Sequence, residues 1–184
     1  MNYTQFFDRW VALTTLSEKD RAELLNNLHE EVVSGTQTLA SLACSEMGRV
    51  LDEVSYQARD TYLEAVAPVV SMAALDGYLL SKIELGINPQ AEKLVSRQSI
   101  NGLGNRWSAQ FQSDQSRSYI DKIDPIVGML LQRIQDLRIN QTISFYKDVI
   151  DLPYKTVEQM HQYIGWCVYQ GYVLGVIEQE LSHA

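Results

Sequence analysis

The chain has 184 residues, enough for one domain with a real core, and its 46% apolar and 21% charged residues exclude a disordered composition. A formal charge of −8 argues against nucleic acid as a partner, because that affinity rests on clustered Lys and Arg releasing counterions. The acidic residues are interleaved with bases (Glu46, Arg49, Asp52, Glu53, Arg59, Asp60), the pattern of a solvated helix face and not of a nucleic-acid mimic.

In chain order, residues 3–14 read as a short amphipathic helix carrying Phe6, Phe7, Trp10 and Val11, with no basic n-region of a signal peptide. Ser17 and Asp20 resemble a capping box for a second helix ending near Ser34-Gly35. From Thr36, apolar residues recur every three or four positions (Leu39, Ala43, Met47, Val50, Val54, Ala58, Tyr62, Ala65), the stripe of one long helix. Pro68 should kink it or restart it, and a further span follows from Val69 to Leu85.

Residues 86–124 differ in kind, being rich in Gly, Asn, Ser and Gln, with five basic side chains against four acidic ones. Asn88-Pro89 suits a helix start, and "NGLGN" at 101–105 reads as a flexible turn. The turn lacks the preceding strand and the lysine of a phosphate loop. Asp124-Pro125 opens another helix through Ile126, Val127, Leu130, Ile134 and Leu137, with a break expected before Tyr146. Asp151-Leu152-Pro153 ends it, and Thr156 with Gln159 should cap the last helix. The expected fold is therefore all-α: one irregular antiparallel bundle of six or seven helices over 1–184 with a buried C-terminal helix.

Ile164 to Ile177 contains fourteen residues with Gln170 as the only strongly polar one, too short for the ~20 residues of a membrane span. Its apolar groups point in every direction, as in a helix enclosed by protein. Val157, His161, Ile164, Val168, Gly171 and Gly175 fall on one line, so this stripe should meet a crossing helix of the same chain, a dimer partner or a flat ligand lying on the glycines. Arg106 and Arg117 in the polar segment are further candidates for a protein interface.

Asp76 falls among apolar residues of its helix and must be protonated, paired with a cation, or bonded to a buried donor. Together with Trp166, Tyr169 and Tyr172 it could line a ligand pocket between helices. Two Glu-x-x-His pairs, Glu158/His161 and Glu180/His183, have the spacing used by di-iron carboxylate proteins. They lie about 33 Å apart on one helix, so no metal site is assigned and Glu158 and His161 remain weak candidates. Cys44 and Cys167 lack CxxC spacing and read as reduced thiols.

No catalytic set and no cofactor emerge. The expectation is a cytoplasmic, non-enzymatic binding protein of the adaptor, inhibitor or immunity type, with a protein partner and a homodimeric state. The alternative is a helical-bundle enzyme or sensor with an inter-helix pocket for a small ligand or metal.

Overall fold

Six α-helices and no strand form among the residues that the computed structural model describes, namely 30–53, 56–84, 103–112, 116–149 and 152–182 with Asp8, Val11, Ser17, Lys19, Asp20, Glu23, Asn26 and Leu28. They are α1 (Glu30–Asp52), α2 (Tyr56–Glu84), α3 (Leu103–Gln112), α4 (Ser116–Ile120), α5 (Pro125–Val149) and α6 (Tyr154–Ser182). The all-α expectation holds, and α6 is buried along most of its length. Half of the capping box also forms: the Asp20 amide donates to Ser17 Oγ (3.2 Å), while the Asp20 carboxylate accepts from the Ser17 hydroxyl (2.7 Å). Of the helix expected over 3–14, only Asp8 and Val11 are described, and both are helical; the Asn88-Pro89 start lies outside the described residues.

Several boundaries differ from the sequence reading. α1 runs straight through Ser34-Gly35, because Gly35 is a packing residue and not a terminator: a Cβ there would stand 3.0 Å from Leu174 Cδ2 of α6. The single helix expected from Thr36 to Ala65 is instead folded in two between Asp52 and Tyr56. A continuous helix would have laid the halves of its apolar stripe end to end with nothing to bury against. The turn sets them face to face, with Gly48 of α1 against Arg59 and Leu63 of α2.

α2 passes through Pro68 without interruption, with the proline on the exposed face where water can satisfy the carbonyl left without a donor. α5 begins as expected, its Ile126 amide capped by Asp124 Oδ1 (2.8 Å), but continues to Val149 without the break before Tyr146. α6 starts three residues earlier than a cap at Thr156 would place it. The Pro153 carbonyl accepts from the Thr156 and Val157 amides, which leaves Thr156 buried in the first turn and not at the cap. Residues 103–105 of "NGLGN" are the first turn of α3, whose Gly104 amide is capped by the Glu31 carboxylate of α1 at 3.0 Å.

α1, α2, α5 and α6 form an up-down-up-down bundle in which α1 and α5 flank a diagonal pair, α2 and α6, and α2–α6 is the most extensive contact. Residue pairings along the diagonal rise together (Ala74 with Gly171, Ser81 with Gly175, Lys82 with Glu178), so these two helices run parallel. α3 and α4 pack against α6 at the end where the bundle carries its charged cross-links. By length and composition the Arg59–Glu84 stretch could cross a bilayer; most of it is buried inside the fold, as in a soluble core helix.

The diagonal contact is made by backbone. A Cβ on Gly171 would fall 1.9 Å from the Ala74 carbonyl oxygen, and one on Gly77 would fall 1.9 Å from the Val168 carbonyl oxygen. At Gly175 the obstacle is Ser81 Oγ, at 1.8 Å. Alanine at 171 or 77 therefore forces two helices apart, whereas among the described residues Gly128 of α5 has only Ile123 Cγ2 nearby, at 3.9 Å. Gly171→Ala should destabilise the fold by about 2 kcal/mol or more despite alanine's better helix propensity. Gly128→Ala should be neutral or stabilising by up to about 1 kcal/mol. Thermal melts of the two variants decide it; an unchanged midpoint for Gly171→Ala would mean that the helices do not approach this closely.

Candidate functional site

α2 carries two charges into the core, and each finds an opposite charge on a neighbouring helix. Asp76 receives the guanidinium of Arg138 from α5, with Nε and Nη2 2.7 and 2.5 Å from the same oxygen, Oδ2. Arg138 Nη1 donates to Gln141 Oε1 at 2.8 Å and lies 3.7 Å from Met72 Sδ. One turn and a half further along α2, Lys82 ion-pairs with Glu178 of α6, both side chains fully buried. The Lys82 ammonium also donates to the Gly175 carbonyl (3.2 Å) and lies 5.0 Å from the centre of the Tyr78 ring. The Tyr78 hydroxyl donates to Glu178 Oε2 at 2.7 Å, while Glu178 Oε1 has no hydrogen-bond partner among the described residues.

Burial shapes these groups. It lowers the Lys82 pKa below that of an exposed lysine, with Glu178 opposing the shift, and it raises Tyr78 well above the ordinary phenol, helped by the adjacent carboxylate. Tyr172, bonded to Glu84, is raised for the same reasons. Deleting one member of such a pair strands the other charge, at a cost of about 3–5 kcal/mol. Near the same end, Glu180 binds Arg106 of α3 and accepts from the Tyr119 hydroxyl of α4 at 3.2 Å, fastening the small helices to the bundle.

The sequence-derived candidates are thus distributed over three environments. Asp76 is held by Arg138 within the core, and Tyr172 is turned to Glu84 at the end of α2. Ile164, Val168, Gly171 and Gly175 are buried inside the chain, where Val168, Gly171 and Gly175 meet α2; the stripe thus meets a crossing helix of the same chain and not an open face. His161 is half-buried, its pKa lowered by burial against a smaller opposing pull from exposed Glu158. No three His, Cys, Asp or Glu side chains converge to hold a metal among the described residues. Arg106 is committed to Glu180, and Arg117 lies in α4. Tyr169 is half-buried on α6. Cys44 and Cys167 are free thiols with pKa values raised by burial, and Cys167 Sγ–H points to the Leu39 carbonyl at 3.7 Å.

Trp166 is the candidate that reaches a cleft. Gly35 against Leu174 and Cys167 against Leu39 hold α1 and α6 together at one end. Beyond them the larger Tyr163 and Trp166 stand on α6, and a groove of about 550 Å³ opens between the helices. Its other walls are Leu42, Ala43 and Glu46 of α1 and Gln162 of α6. Leu42 is 39% exposed, so the groove presents an aliphatic and an aromatic surface side by side. At its rim Glu46 is tied to Arg49 at 2.8 Å. A smaller cleft of about 360 Å³, richer in polar side chains than the groove, lies between α1 and the start of α3, beside Glu30, Ser34, Asn105, Trp107 and Ser108.

Comparison with protein-family models, curated proteins and solved structures finds no match to this chain.

Arg138, Lys82 and Glu178 were missed by the sequence reading although each carried a signal. Arg138 continues the α5 core line Val127, Leu130, Ile134; Lys82 follows Leu75 and Tyr78; Glu178 follows Cys167, Gly171 and Leu174.

The raised tyrosines generate a pH prediction. In the unfolded chain Tyr78 and Tyr172 release their protons near pH 10, while the folded chain keeps them. Their contribution to stability is therefore intact below about pH 10 and is lost as pH rises further. Lys82 acts in the opposite sense, since its lowered folded pKa lets stability gain as pH approaches 10.5. Phenolate absorbance at about pH 11 should show at least two fewer ionised tyrosines in folded than in unfolded protein, out of ten in the chain. Tyr78→Phe should reduce that deficit by one; full ionisation with helicity intact would contradict the buried hydrogen bonds.

Proposed function

We propose that the chain is a non-enzymatic helical binding protein of the cytoplasm that docks a helical segment of a basic partner protein in the groove between α1 and α6. The observation that carries this reading is the groove itself, where Leu42 and Trp166 leave apolar surface open between two parallel walls. A cleft walled by two helices matches the shape of a third, whose apolar residues at i, i+3 and i+7 enter it while its polar flanks meet the rim. Glu46 and Gln162 supply polar groups for that rim. The formal charge of −8 favours a partner rich in Lys and Arg, by steering its approach. The two free thiols suit a reducing compartment.

A photo-crosslinking residue placed at Leu42 in the source cell, with one at exposed Asp121 as the control, tests the site. The expected result is one protein captured from Leu42 and not from Asp121. That protein, once purified, should bind one-to-one, with affinity falling at least about tenfold for Leu42→Glu. No capture from Leu42, equal capture from both positions, or indifference of the purified pair to Leu42→Glu overturns the reading. A small apolar molecule retained by the wild-type protein in native mass spectrometry, and lost in Leu42→Glu, would overturn it in favour of an inter-helix ligand pocket.

A further inference from the structure

α3 and α4 are the least embedded helices among the described residues: α3 packs on α6 and on α1, and α4 packs mainly on α6. Carboxylates from two bundle helices fasten them. Glu31 of α1 accepts from the Gly104 amide at 3.0 Å. Glu180 of α6 ion-pairs with Arg106 of α3 and also accepts from the Tyr119 hydroxyl of α4 at 3.2 Å. Arg106 Nη2 in turn donates to that hydroxyl at 3.5 Å, so the three side chains form a triangle in which each meets the other two. One carboxylate thus holds two helices at once. The triangle is open to water, with Arg106 37% and Glu180 42% exposed, whereas the apolar anchors Leu103 and Trp107 of α3 are buried.

We infer that α3 and α4 form one arm that opens as a unit, with Glu180 as its catch, while α1, α2, α5 and α6 stay packed. The coupling follows from the triangle. α3 and α4 share a carboxylate, and they also touch each other through the two side chains that it holds, so loss of any corner weakens the attachment of both helices. Exposed ion pairs of this kind contribute little and are screened by salt, unlike the enclosed Lys82–Glu178 pair of the bundle. Leu103 and Trp107 leave the core when the arm opens, so the open form is a minor state of the kind that hydrogen exchange detects. Opening acts on the cleft of about 360 Å³, because one wall of it, with Ser34 and Thr38, belongs to α1 and the other, with Asn105 and Trp107, is the arm itself. The catch therefore controls the width of that cleft.

Native-state hydrogen exchange of the full chain, read amide by amide by NMR, tests the inference, with Trp107–Gln112 reporting on α3 and Ile120 on α4. Tyr119→Phe alters a side chain of α4 only, yet it should speed exchange in α3 as well. Arg106→Gln, on α3, should speed exchange at Ile120. Each variant should act on both helices by a common factor of up to about tenfold, and the amides of Val70–Lys82 in α2 should not change. An effect confined to the helix that carries the substitution, no effect at all, or an equal acceleration in Val70–Lys82 overturns the inference. Should either variant fail to fold, raising salt from about 20 mM to about 500 mM on the wild-type chain decides. Equal acceleration in α3 and at Ile120 upholds the single arm, and acceleration in one alone or in neither overturns it.

Discussion

The contact between α2 and α6 constrains everything else in this molecule. Helices in a bundle ordinarily stand 8–10 Å apart, separated by side chains, and diagonal helices stand further apart still. Here Gly77, Gly171 and Gly175 remove the side chains at the crossing, so that each helix sets its glycine against a carbonyl or hydroxyl of the other. The four-helix cross-section is thereby flattened: the short diagonal is closed by backbone, and α1 and α5 are pushed to the two sides, each packed on both members of the central pair. The three glycines cost helix propensity, about 1 kcal/mol each, and close packing has to offset it.

That closeness explains the charged core. With α2 and α6 in backbone contact, side chains leaving the crossing at its edges cannot reach water, and Lys82 and Glu178 are enclosed together. Asp76 leaves α2 toward α5 and meets Arg138 there. Buried pairs of this kind add little net stability against well-packed apolar residues, but a shift of one helix turn would separate both pairs at once, with several kcal/mol lost for each stranded charge. The parallel register of α2 and α6, and the position of α5 against α2, are specified by these charges in a way that glycines and leucines alone do not specify them. The same end holds Tyr172 to Glu84 and Glu180 to Arg106, so the polar links gather where α3 and α4 attach.

Much of this was legible in the sequence because it is local. Helix periodicity, the Ser17–Asp20 box, the Asp124 cap and the small-residue stripe on α6 are patterns within a few turns, set by 3.6-residue geometry and by unsatisfied amides at helix ends. Asp76 was anomalous on the same grounds, as a carboxylate on an apolar face. Its partner was not legible, since Arg138 lies 62 residues away and reads in isolation as one more surface arginine on a helix of mixed charge. The division between Asp52 and Tyr56 was hidden for a related reason: the stripe keeps phase on both sides of it, so periodicity cannot tell one long helix from two folded together. Gly35 misled in the opposite direction, because a glycine that ends a helix and a glycine that admits Leu174 look alike until the neighbouring helix is in place. The groove depends on where α1 and α6 separate, a property of the pair that neither helix encodes alone.

The open surfaces follow from the same geometry. α1 and α5, displaced to the sides, each leave a face that the central pair does not cover, α1 as the wall of a groove beside Trp166 and α5 as a largely polar face with Ile126, Met129 and Leu137 partly exposed. Both would be rigid platforms if the α2–α6 contact is the most persistent part of the fold. Native-state hydrogen exchange measures that persistence amide by amide. The amides of Val70–Lys82 and Ile164–Glu178 should exchange only through global unfolding and share one opening free energy, above those of α3 and the outer face of α5. Exchange in either central segment by local opening at a lower free energy than in α1 or α5 would contradict the claim that this crossing holds the bundle together.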